Sequence, residues 1–205
     1  MEDNEQRSQE WFDERAGKFT ASRISELLGI KALGLTGEGY AMEMAVEEVF
    51  GREENDFISY DMQRGIDLEP LAFNHFKEKK ALEFIDVQNC GFFKYCENSG
   101  ASPDGLVGDD AILEIKCPTR KTFFKLKLTN EIDSKYFAQM QMQMLSTNRN
   151  KAHFFNYLII DGEEHTHEII VYRCETTIEK IKSRIEEAVS IKNEFIEKLN
   201  QSKNN

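Results

Sequence analysis

The interpretation of this sequence rests on two neighbouring stretches, Ser102-Pro-Asp-Gly-Leu106 and Leu113-Glu-Ile-Lys-Cys-Pro118. The first has the residue types of a type I turn, with proline in its second position and glycine in its fourth. The second alternates as a β-strand does, so that Glu114 and Lys116 share one face. If the two stretches pair as a hairpin, Asp104 lies next to both of these side chains. The pattern therefore predicts a cluster of two carboxylates and one ammonium group at the edge of a sheet.

A cluster of this kind suits metal-assisted hydrolysis of a phosphodiester. Two carboxylates repel each other at short range, so Asp104 and Glu114 favour a cation between them. Oxygen ligands without histidine or cysteine are typical of a hard ion such as Mg²⁺ or Mn²⁺. Lys116 can orient or help to deprotonate an attacking water, and it can also offset charge on the transition state. The alternative is a plain turn followed by an exposed Glu-x-Lys pair on a half-buried strand, and spacing alone does not separate the two.

The composition is typical of a globular protein in water. Of 205 residues, 26 are Lys or Arg and 37 are Asp or Glu, which gives a formal charge of −11, and 40% are hydrophobic. No apolar run reaches about 18 residues, which excludes a transmembrane helix, and the polar, acidic start is unlike a secretory signal peptide. We therefore expect a cytoplasmic protein without a membrane partner. The charge excludes a uniformly basic surface for nucleic acid but allows a local basic patch.

One extended basic stretch occurs in this acidic chain. Five cations lie between residues 115 and 130 without an acidic residue among them: Lys116, Arg120, Lys121, Lys125 and Lys127. Phe123 and Phe124 are interleaved with them, as in segments that follow a phosphate backbone. We expect Arg120 and Lys121 to contact DNA, although a solvated helix face has the same charge pattern.

Apolar periodicity divides the chain into three parts. The first, about residues 8–83, has the helical period, and the second, about residues 84–173, mixes short β-like segments with helices. The third is one covering helix over about residues 176–200, whose apolar stripe indicates a core or subunit contact. This order predicts a single α/β, or α+β layered, domain over residues 1–205.

The segments have the following expected bounds. The helices of the first part are Trp11–Arg15, Ala21–Leu28, the segment from Thr36 to about Gly51, and about Ile66–Ala81. Pro70 fits the last of these if it lies in the first turn, where its missing N–H costs nothing. The strands of the second part are Phe84–Val87, Gly91–Tyr95, Gly105–Gly108, Ala111–Cys117, Lys151–Ile160 and Thr166–Arg173, with helices at about Thr119–Leu128 and Ser134–Ser146. Asp161-Gly162 is a strong hairpin signal between the last two strands.

A pair of glutamines distinguishes the helix expected at Ser134–Ser146. Gln139 and Gln143 lie one helical turn apart on an otherwise apolar segment. This spacing indicates a polar edge that faces a site, although an edge that faces solvent has the same pattern.

Taken in chain order, the motifs resemble the lambda-type phage exonuclease, or YqaJ-like viral recombinase, family of the PD-(D/E)XK nuclease superfamily. The series consists of Arg15-Ala-Gly-Lys-Phe-Thr-Ala-Ser22, Arg64-Gly-Ile-Asp-Leu-Glu69, Ala101-Ser-Pro-Asp-Gly-Leu106, Leu113-Glu-Ile-Lys-Cys-Pro118 and Tyr136-Phe-Ala-Gln-Met-Gln141. The resemblance extends from about Trp11 to the final helix. It implies a restriction-endonuclease-like core, in which a small mixed central sheet is flanked by helices.

The resemblance also implies an activity and a set of site residues. The activity is that of a Mg²⁺-dependent exonuclease, which degrades one strand of linear duplex DNA from its 5′ end. Two ions, for which Mn²⁺ can substitute, would be bound by the following groups: Asp104, Glu114, the carbonyl of Ile115, and Glu69. Lys116 would place the nucleophilic water, and Gln139 would be a further residue of the site.

A second set of residues matches the family pocket for the terminal 5′-phosphate. These residues are Arg15, Ser22 and Ser102, and an arginine with two hydroxyl groups is chemically suited to a phosphate. Family members of this kind form rings of three around DNA and act with a single-strand annealing protein in recombination. Two alternatives remain open: a structure-specific or restriction-like endonuclease of the same superfamily, and a DNA-binding module without catalytic activity.

Overall fold

The computed structural model of this chain describes residues 8–53 and 58–203. Its helices are α1 (Gln9–Arg15), a 3₁₀ helix (Ala21–Leu27), α2 (Gly34–Phe50), α3 (Tyr60–Ala81), α4 (Arg120–Thr129), α5 (Ser134–Thr147) and α6 (Glu175–Lys203). Its strands are β1 (Phe19–Thr20), β2 (Val87–Gln88), β3 (Phe93–Cys96), β4 (Ser99–Ala101), β5 (Gly105–Val107), β6 (Ala111–Lys116), β7 (Lys151–Ile160) and β8 (Glu163–Tyr172). Helices and strands are mixed along the chain, which confirms the predicted fold class.

The central sheet has five strands in the order β2-β5-β6-β7-β8. Strands β6 and β7 are parallel, whereas the other three neighbouring pairs are antiparallel. The prediction of a small mixed sheet is therefore confirmed. Parallel neighbours need a crossover connection, which α4 and α5 provide between β6 and β7.

Strands β5 and β6 form the hairpin that the two quoted stretches predict. Gly105 is paired with Leu113, and the N–H of Asp104 donates to the carbonyl of the same leucine at 3.0 Å. The backbone of Asp104 is therefore fixed to β6 just before β5 begins. This pairing determines where the candidate carboxylates lie.

Apolar side chains hold helices on both faces of the central sheet. On one face, Ala72 and Phe76 of α3 pack in a cluster with Phe155 of β7. On the other face, Met140 and Met144 of α5 pack against the sheet. Beyond α5, the 3₁₀ helix, α2 and α6 surround a further core. The result is a layered domain with the sheet enclosed between helices.

The C-terminal helix α6 covers this further core, as its apolar stripe predicts. Ile178, Ile181, Ile185 and Ala188 are all buried. Lys192 interrupts the stripe and yet is only 1% exposed, so its ammonium group requires partners inside the protein. No helix in the part of the chain that the structure describes is long and apolar enough to cross a membrane.

A second sheet has the order β1-β4-β3, and of its strands only β3 overlaps a predicted strand, Gly91–Tyr95. The other two strands have two and three residues, which is too short for a period of two to be recognised. Strand β1 is parallel to β4. The pairing brings the segment after Arg15 next to the segment that leads into Ser102. The small sheet is thus the element that joins two of the predicted pocket residues.

The predicted start at about Ile66 of the helix that ends at Ala81 is wrong. Helix α3 begins at Tyr60, because the Ser59 side chain accepts a hydrogen bond from the N–H of Met62 at 3.2 Å and caps the helix. Pro70 consequently lies inside the helix, not in its first turn. The packing of Ala72 and Phe76 in the core compensates for the hydrogen bond that proline cannot donate.

Three other boundaries also differ from the predictions. Residues 84–86 are not a strand: Phe84 has φ of 58° and is 98% exposed, so only β2 is extended there. The segment at Ala21–Leu27 is a 3₁₀ helix. Strand β8 begins three residues before the predicted Thr166, directly after a turn in which Asp161 and Gly162 both have positive φ. Such a turn matches the twist of a hairpin and allows pairing from its first residue.

Candidate active site

The hairpin of β5 and β6 fixes the first carboxylate of the candidate site. Asp104 Oδ2 accepts a hydrogen bond from the N–H of Ile115 at 2.6 Å, which directs the carboxylate across the hairpin. Burial, followed by repulsion from Glu114, raises the pKa of Asp104 well above its usual value. Lys116 opposes this shift but does not cancel it. The site therefore carries more negative charge than its own cation balances.

Glu114 is the most enclosed member of the cluster, since only 1% of it is exposed. Its Oε1 accepts hydrogen bonds from Lys116 Nζ and from Gln139 Nε2, the latter at 2.7 Å. Its Oε2 accepts one from Gln143 Nε2 at 2.5 Å. The two glutamines at helical spacing thus both contact the same carboxylate. A buried charge needs such partners, because burial without them costs several kcal/mol.

Lys116 lies at the mouth of the cluster, with 27% of its side chain exposed. Burial disfavours its charged form, but attraction to Glu114 and Asp104 outweighs that effect, so the pKa of Lys116 is raised. Its Nζ also lies 5.2 Å from the centre of the Tyr136 ring. The lysine is therefore held as an ammonium group between the carboxylates and the adjacent cavity.

The donors in this cluster fit a hard divalent ion. Asp104 and Glu114 offer carboxylate oxygens, and the repulsion between them is what a cation would relieve. Ile115 lines the adjacent cavity together with Glu69, whose charge also acts on Asp104. Within residues 8–53 and 58–203, no three Asp, Glu, His or Cys side chains are grouped closely enough to hold an ion by themselves. A complete coordination shell would therefore need a backbone carbonyl or water in addition to side chains.

A cavity of about 1080 Å³ opens beside Lys116. The cations that line it are Arg64, Lys116, Lys125 and Lys135. Of the predicted site residues, Ser22, Glu69, Ile115, Lys116 and Gln139 also lie in its wall. A concave site with several cations and a buried acidic cluster at its edge can accept a phosphate backbone.

Arg120 and Lys121 are not among the residues that line this cavity. Both are exposed on α4, and Arg120 lies 3.6 Å from the carboxylate of Asp161. The basic stretch therefore contributes to two surfaces: Lys125 lies in the cavity wall, whereas Arg120 and Lys121 lie on the outer surface. Their contact with DNA stays a prediction.

Arg15 and Ser102, two of the three residues of the predicted phosphate pocket, are in direct contact. Arg15 Nη1 donates to Ser102 Oγ at 3.3 Å. Trp11 Nε1 donates to the same hydroxyl at 3.0 Å, and the guanidinium carbon of Arg15 lies 4.0 Å from the centre of the Trp11 ring. Burial lowers the pKa of Arg15 to about 10, which leaves it protonated at neutral pH.

Ser22, the third predicted pocket residue, lies on the cavity wall. It is exposed on the 3₁₀ helix, and its hydroxyl is 3.3 Å from that of Thr20. No hydrogen bond joins Ser22 to Arg15 or Ser102 among the contacts of the described residues. The structure thus brings two of the three residues together and places the third in the cavity wall.

The segment after Arg15 is fixed by a buried ionic contact. Lys192 Nζ donates to the carbonyl of Gly17 at 2.7 Å and to Asn98 Oδ1 at 2.8 Å, and it lies 2.5 Å from a carboxylate oxygen of Glu48. The N–H of the same glycine donates to Glu47 Oε2 at 3.0 Å. Gly17 has φ of +65°, which suits glycine. We call this arrangement the Gly17 clamp.

Three residues beside the predicted ones were not recognised from the sequence. Trp11 donates a hydrogen bond to Ser102, and its spacing of four from Arg15 on α1 is the signal that could have indicated this. Arg64 begins one of the motifs that carry the family resemblance, but the resemblance assigned no role to it. Asn156 lines the cavity next to Lys116, and nothing in its strand pattern distinguishes it.

A model of the YqaJ-like viral recombinase domain matches residues 10–150. No curated protein gave a match.

Solved structures give a second comparison. An alkaline exonuclease from Laribacter hongkongensis is similar, with a TM-score of 0.82 and 30% sequence identity, over 95% of this chain and 97% of that chain. A structure of the same exonuclease in complex with dAMP gives the same values. A phage-related exonuclease from Haemophilus somnus 129PT, at 20% identity, has a TM-score of 0.67 over 89% of this chain and 96% of that chain. This last likeness concerns the fold alone.

Proposed function

The chain belongs to the YqaJ-like viral recombinase family and is a nuclease that acts on DNA; from that premise we propose that it is a Mg²⁺-dependent 5′→3′ exonuclease. It would degrade one strand of linear duplex DNA in phage-type recombination. The observation that carries this proposal is the buried Glu114 carboxylate, which is held by Lys116 and two glutamines at the edge of a cavity with cations in its wall.

The hydrolytic centre would consist of the residues at the hairpin. Asp104, Glu114, the Ile115 carbonyl and Glu69 would hold the ions, which we propose to be two Mg²⁺, with Mn²⁺ able to substitute. When bound, such ions lower the pKa of an attacking water and offset phosphate charge. Lys116, as an ammonium group at the cavity, would orient this water and attract the phosphate. Gln139 would keep the Glu114 carboxylate in place through its hydrogen bond of 2.7 Å.

The contact between Arg15 and Ser102 supports a pocket for the 5′-terminal phosphate. A terminal phosphate is a monoester with more negative charge and more acceptor oxygens than a phosphate within the strand. Arg15 can donate to such a group from a fixed orientation over the Trp11 ring. Ser102 and Ser22 would add hydroxyl donors. A pocket of this kind would make digestion dependent on a strand end.

The cations of the cavity would follow the strand between these two sites. Lys125 and Lys135 line the cavity, and the exposed Arg120 and Lys121 would extend the contact over α4. Binding through phosphates releases counterions, so the affinity for DNA should fall steeply as salt is added. An affinity that changes little with salt would contradict this arrangement.

The wider assembly is proposed from the family resemblance. We propose that residues 1–205 act as a single nuclease domain, that three copies form a ring around DNA, and that a single-strand annealing protein is a partner. The expected location is the cytoplasm. Sedimentation of the purified protein, which should show a trimer, tests the ring.

A digestion assay tests the activity. Linear duplex with 5′-phosphate ends, nicked circles and closed circles are incubated with Mg²⁺ or with a chelator. We expect the linear duplex to be digested only with Mg²⁺, a 5′ label to be released before a 3′ label, and closed circles to survive. Cleavage of closed circles would instead identify an endonuclease, and binding without hydrolysis would identify a non-catalytic module.

A further inference from the structure

Two donors in the wall of the cavity lack hydrogen-bond partners. Among the described residues, Arg64 Nε and Asn156 Nδ2 are buried atoms for which no partner exists, and both residues line the cavity beside Lys116. Asn156 is 2% exposed. Native proteins rarely leave buried donors unpaired, and those that remain require an explanation. Two such donors at one cavity point to a ligand that accepts hydrogen bonds.

The strand pairing fixes Asn156 next to Lys116. Strands β6 and β7 are parallel, and Asn156 is in register with Lys116, as Phe154 is with Glu114. Register neighbours in adjacent strands direct their side chains to the same face of a sheet. The amide of Asn156 therefore lies on the face of the sheet that carries the two catalytic candidates.

Arg64 lies at the end of β6 and is anchored by its other nitrogens. Its Nη2 donates to the carbonyl of Cys117, which follows Lys116 in the chain, at 3.3 Å. Its Nη1 donates to Asp61 Oδ1 at 2.6 Å. The guanidinium group is thus fixed at the end of β6, while its Nε is left without a partner.

We propose that Asn156 and Arg64 are phosphate-binding residues that donate hydrogen bonds to oxygens of the DNA phosphate beside Lys116. A phosphodiester oxygen accepts hydrogen bonds and does not donate them, so it matches the orphaned N–H groups of an amide and a guanidinium. The proposal rests on the proposed function, because it takes DNA as the ligand of the cavity. The proposal assigns a part in substrate binding to strand β7, through Asn156.

The principal test replaces Asn156 with leucine, which has a similar shape and no polar atoms. Removing an unpaired buried donor should raise the melting temperature of the free protein. The same change should weaken the binding of labelled duplex without added metal about tenfold, because a hydrogen bond to a charged group is lost. The slope of affinity against salt should stay the same, since asparagine is neutral. Stability and DNA binding thus move in opposite directions.

Ser146→Ala is the matched control. The Oγ of Ser146 is also buried without a partner, but this residue does not line the cavity. Its replacement should raise or maintain the melting temperature and leave DNA binding unchanged. Arg64→Lys, which keeps the charge but loses the Nε donor, should weaken binding as Asn156→Leu does.

The outcomes separate this proposal from the proposed function. An Asn156→Leu variant that binds DNA with wild-type affinity would overturn the assignment of Asn156. The assignment would also be overturned if the variant had a lower melting temperature and the whole loss of binding came from its unfolding. If the leucine variant does not fold, Asn156→Ala, which is also neutral and lacks the donor, should weaken DNA binding in the same way without changing the salt slope. Hydrolysis by the wild-type protein is measured separately, so a failure of the exonuclease assignment leaves the binding result interpretable.

Discussion

The hairpin that carries Asp104 and Glu114 and the pocket around Arg15 are built in different ways. The hairpin belongs to the central sheet, and its carboxylates are fixed by a backbone N–H at 2.6 Å and by glutamines of α5. The pocket lies at the end of the short helix α1, where Arg15 rests on an aromatic ring and contacts a hydroxyl group. One region concentrates buried negative charge, whereas the other presents the guanidinium group of Arg15.

Under the proposed function, this difference predicts that hydrolysis and the selection of strand ends are separable. The hairpin is flanked by β2 on one side and by β7 on the other, so ladder hydrogen bonds of the central sheet fix its geometry. The pocket depends on the Gly17 clamp, which joins the segment after α1 to the distant helix α6. Changes at the hairpin should therefore abolish cleavage of every substrate. Changes at the pocket should alter which ends are cleaved.

The largest effect is expected from Asp104→Asn. The amide keeps the shape and can still accept the N–H of Ile115, but it removes a negative charge that the proposed ions would need. Hydrolysis of linear duplex should fall by about 10²- to 10³-fold, and Mg²⁺ should no longer raise the melting temperature. Digestion of 5′-phosphate and 5′-hydroxyl ends should fall equally.

Asp109→Asn serves as the control for this substitution. Asp109 is exposed in the turn between β5 and β6, so its replacement should leave both activity and the response to Mg²⁺ unchanged. An Asp104→Asn protein that digests DNA at more than a tenth of the wild-type rate would break the comparison, because the hairpin would then not be the hydrolytic region.

A smaller and selective effect is expected from Arg15→Ala. Loss of a charge-assisted hydrogen bond should reduce the preference for 5′-phosphate over 5′-hydroxyl ends by about tenfold to a hundredfold. Digestion from hydroxyl ends should remain near the wild-type rate, because the hairpin is intact. Rates on the two labelled duplexes measure the ratio. If the preference persists in full, or if both rates fall together, the pocket has been assigned to the wrong residues.

The smallest effect on cleavage is expected from Lys192→Met, which removes the ammonium group of the Gly17 clamp. The carbonyl of Gly17 and Asn98 Oδ1 lose their donor, so the free energy of unfolding should fall by about 1–3 kcal/mol. The preference for 5′-phosphate ends should fall by less than in Arg15→Ala. Lys198→Met, an exposed lysine on the same helix, should change stability by less than about 0.5 kcal/mol.

Denaturant unfolding and end-preference assays of both variants measure these effects. Equal stability of Lys192→Met and Lys198→Met would mean that the clamp does not support the segment. A loss of cleavage at both kinds of end would mean that the clamp supports the hairpin as well, and the two regions would not be independent.

The hairpin could be predicted from the sequence because local rules determine it. The turn residues Pro103 and Gly105 and the alternation of β6 are visible in adjacent positions, and they place Asp104 beside the strand. The spacing of Gln139 and Gln143 likewise indicates one face of one helix. Each of these inferences requires only the period of one element.

The other features depend on contacts between distant segments, which periodicity does not show. The small sheet joins residues about 80 positions apart through strands too short to have a period. In the sequence, Lys192 only interrupts an apolar stripe, and its contact with Gly17 becomes apparent only in the structure. Asn156 is an ordinary strand residue until β7 is known to lie in register with β6. Because the first turns of α3 are polar, apolar periodicity does not show that the helix begins directly after its cap at Ser59. Pro70 was therefore assigned to the first turn.

The most direct test of the central claim is a paired measurement on Lys116→Ala. Digestion of linear 5′-phosphorylated duplex with Mg²⁺ and binding of the same duplex with a chelator are measured side by side with the wild-type protein. We predict that hydrolysis falls by about 10²- to 10³-fold, while affinity changes by less than about tenfold because the other cavity cations remain. Hydrolysis at the wild-type rate would contradict the assignment of this hairpin as the site of DNA cleavage.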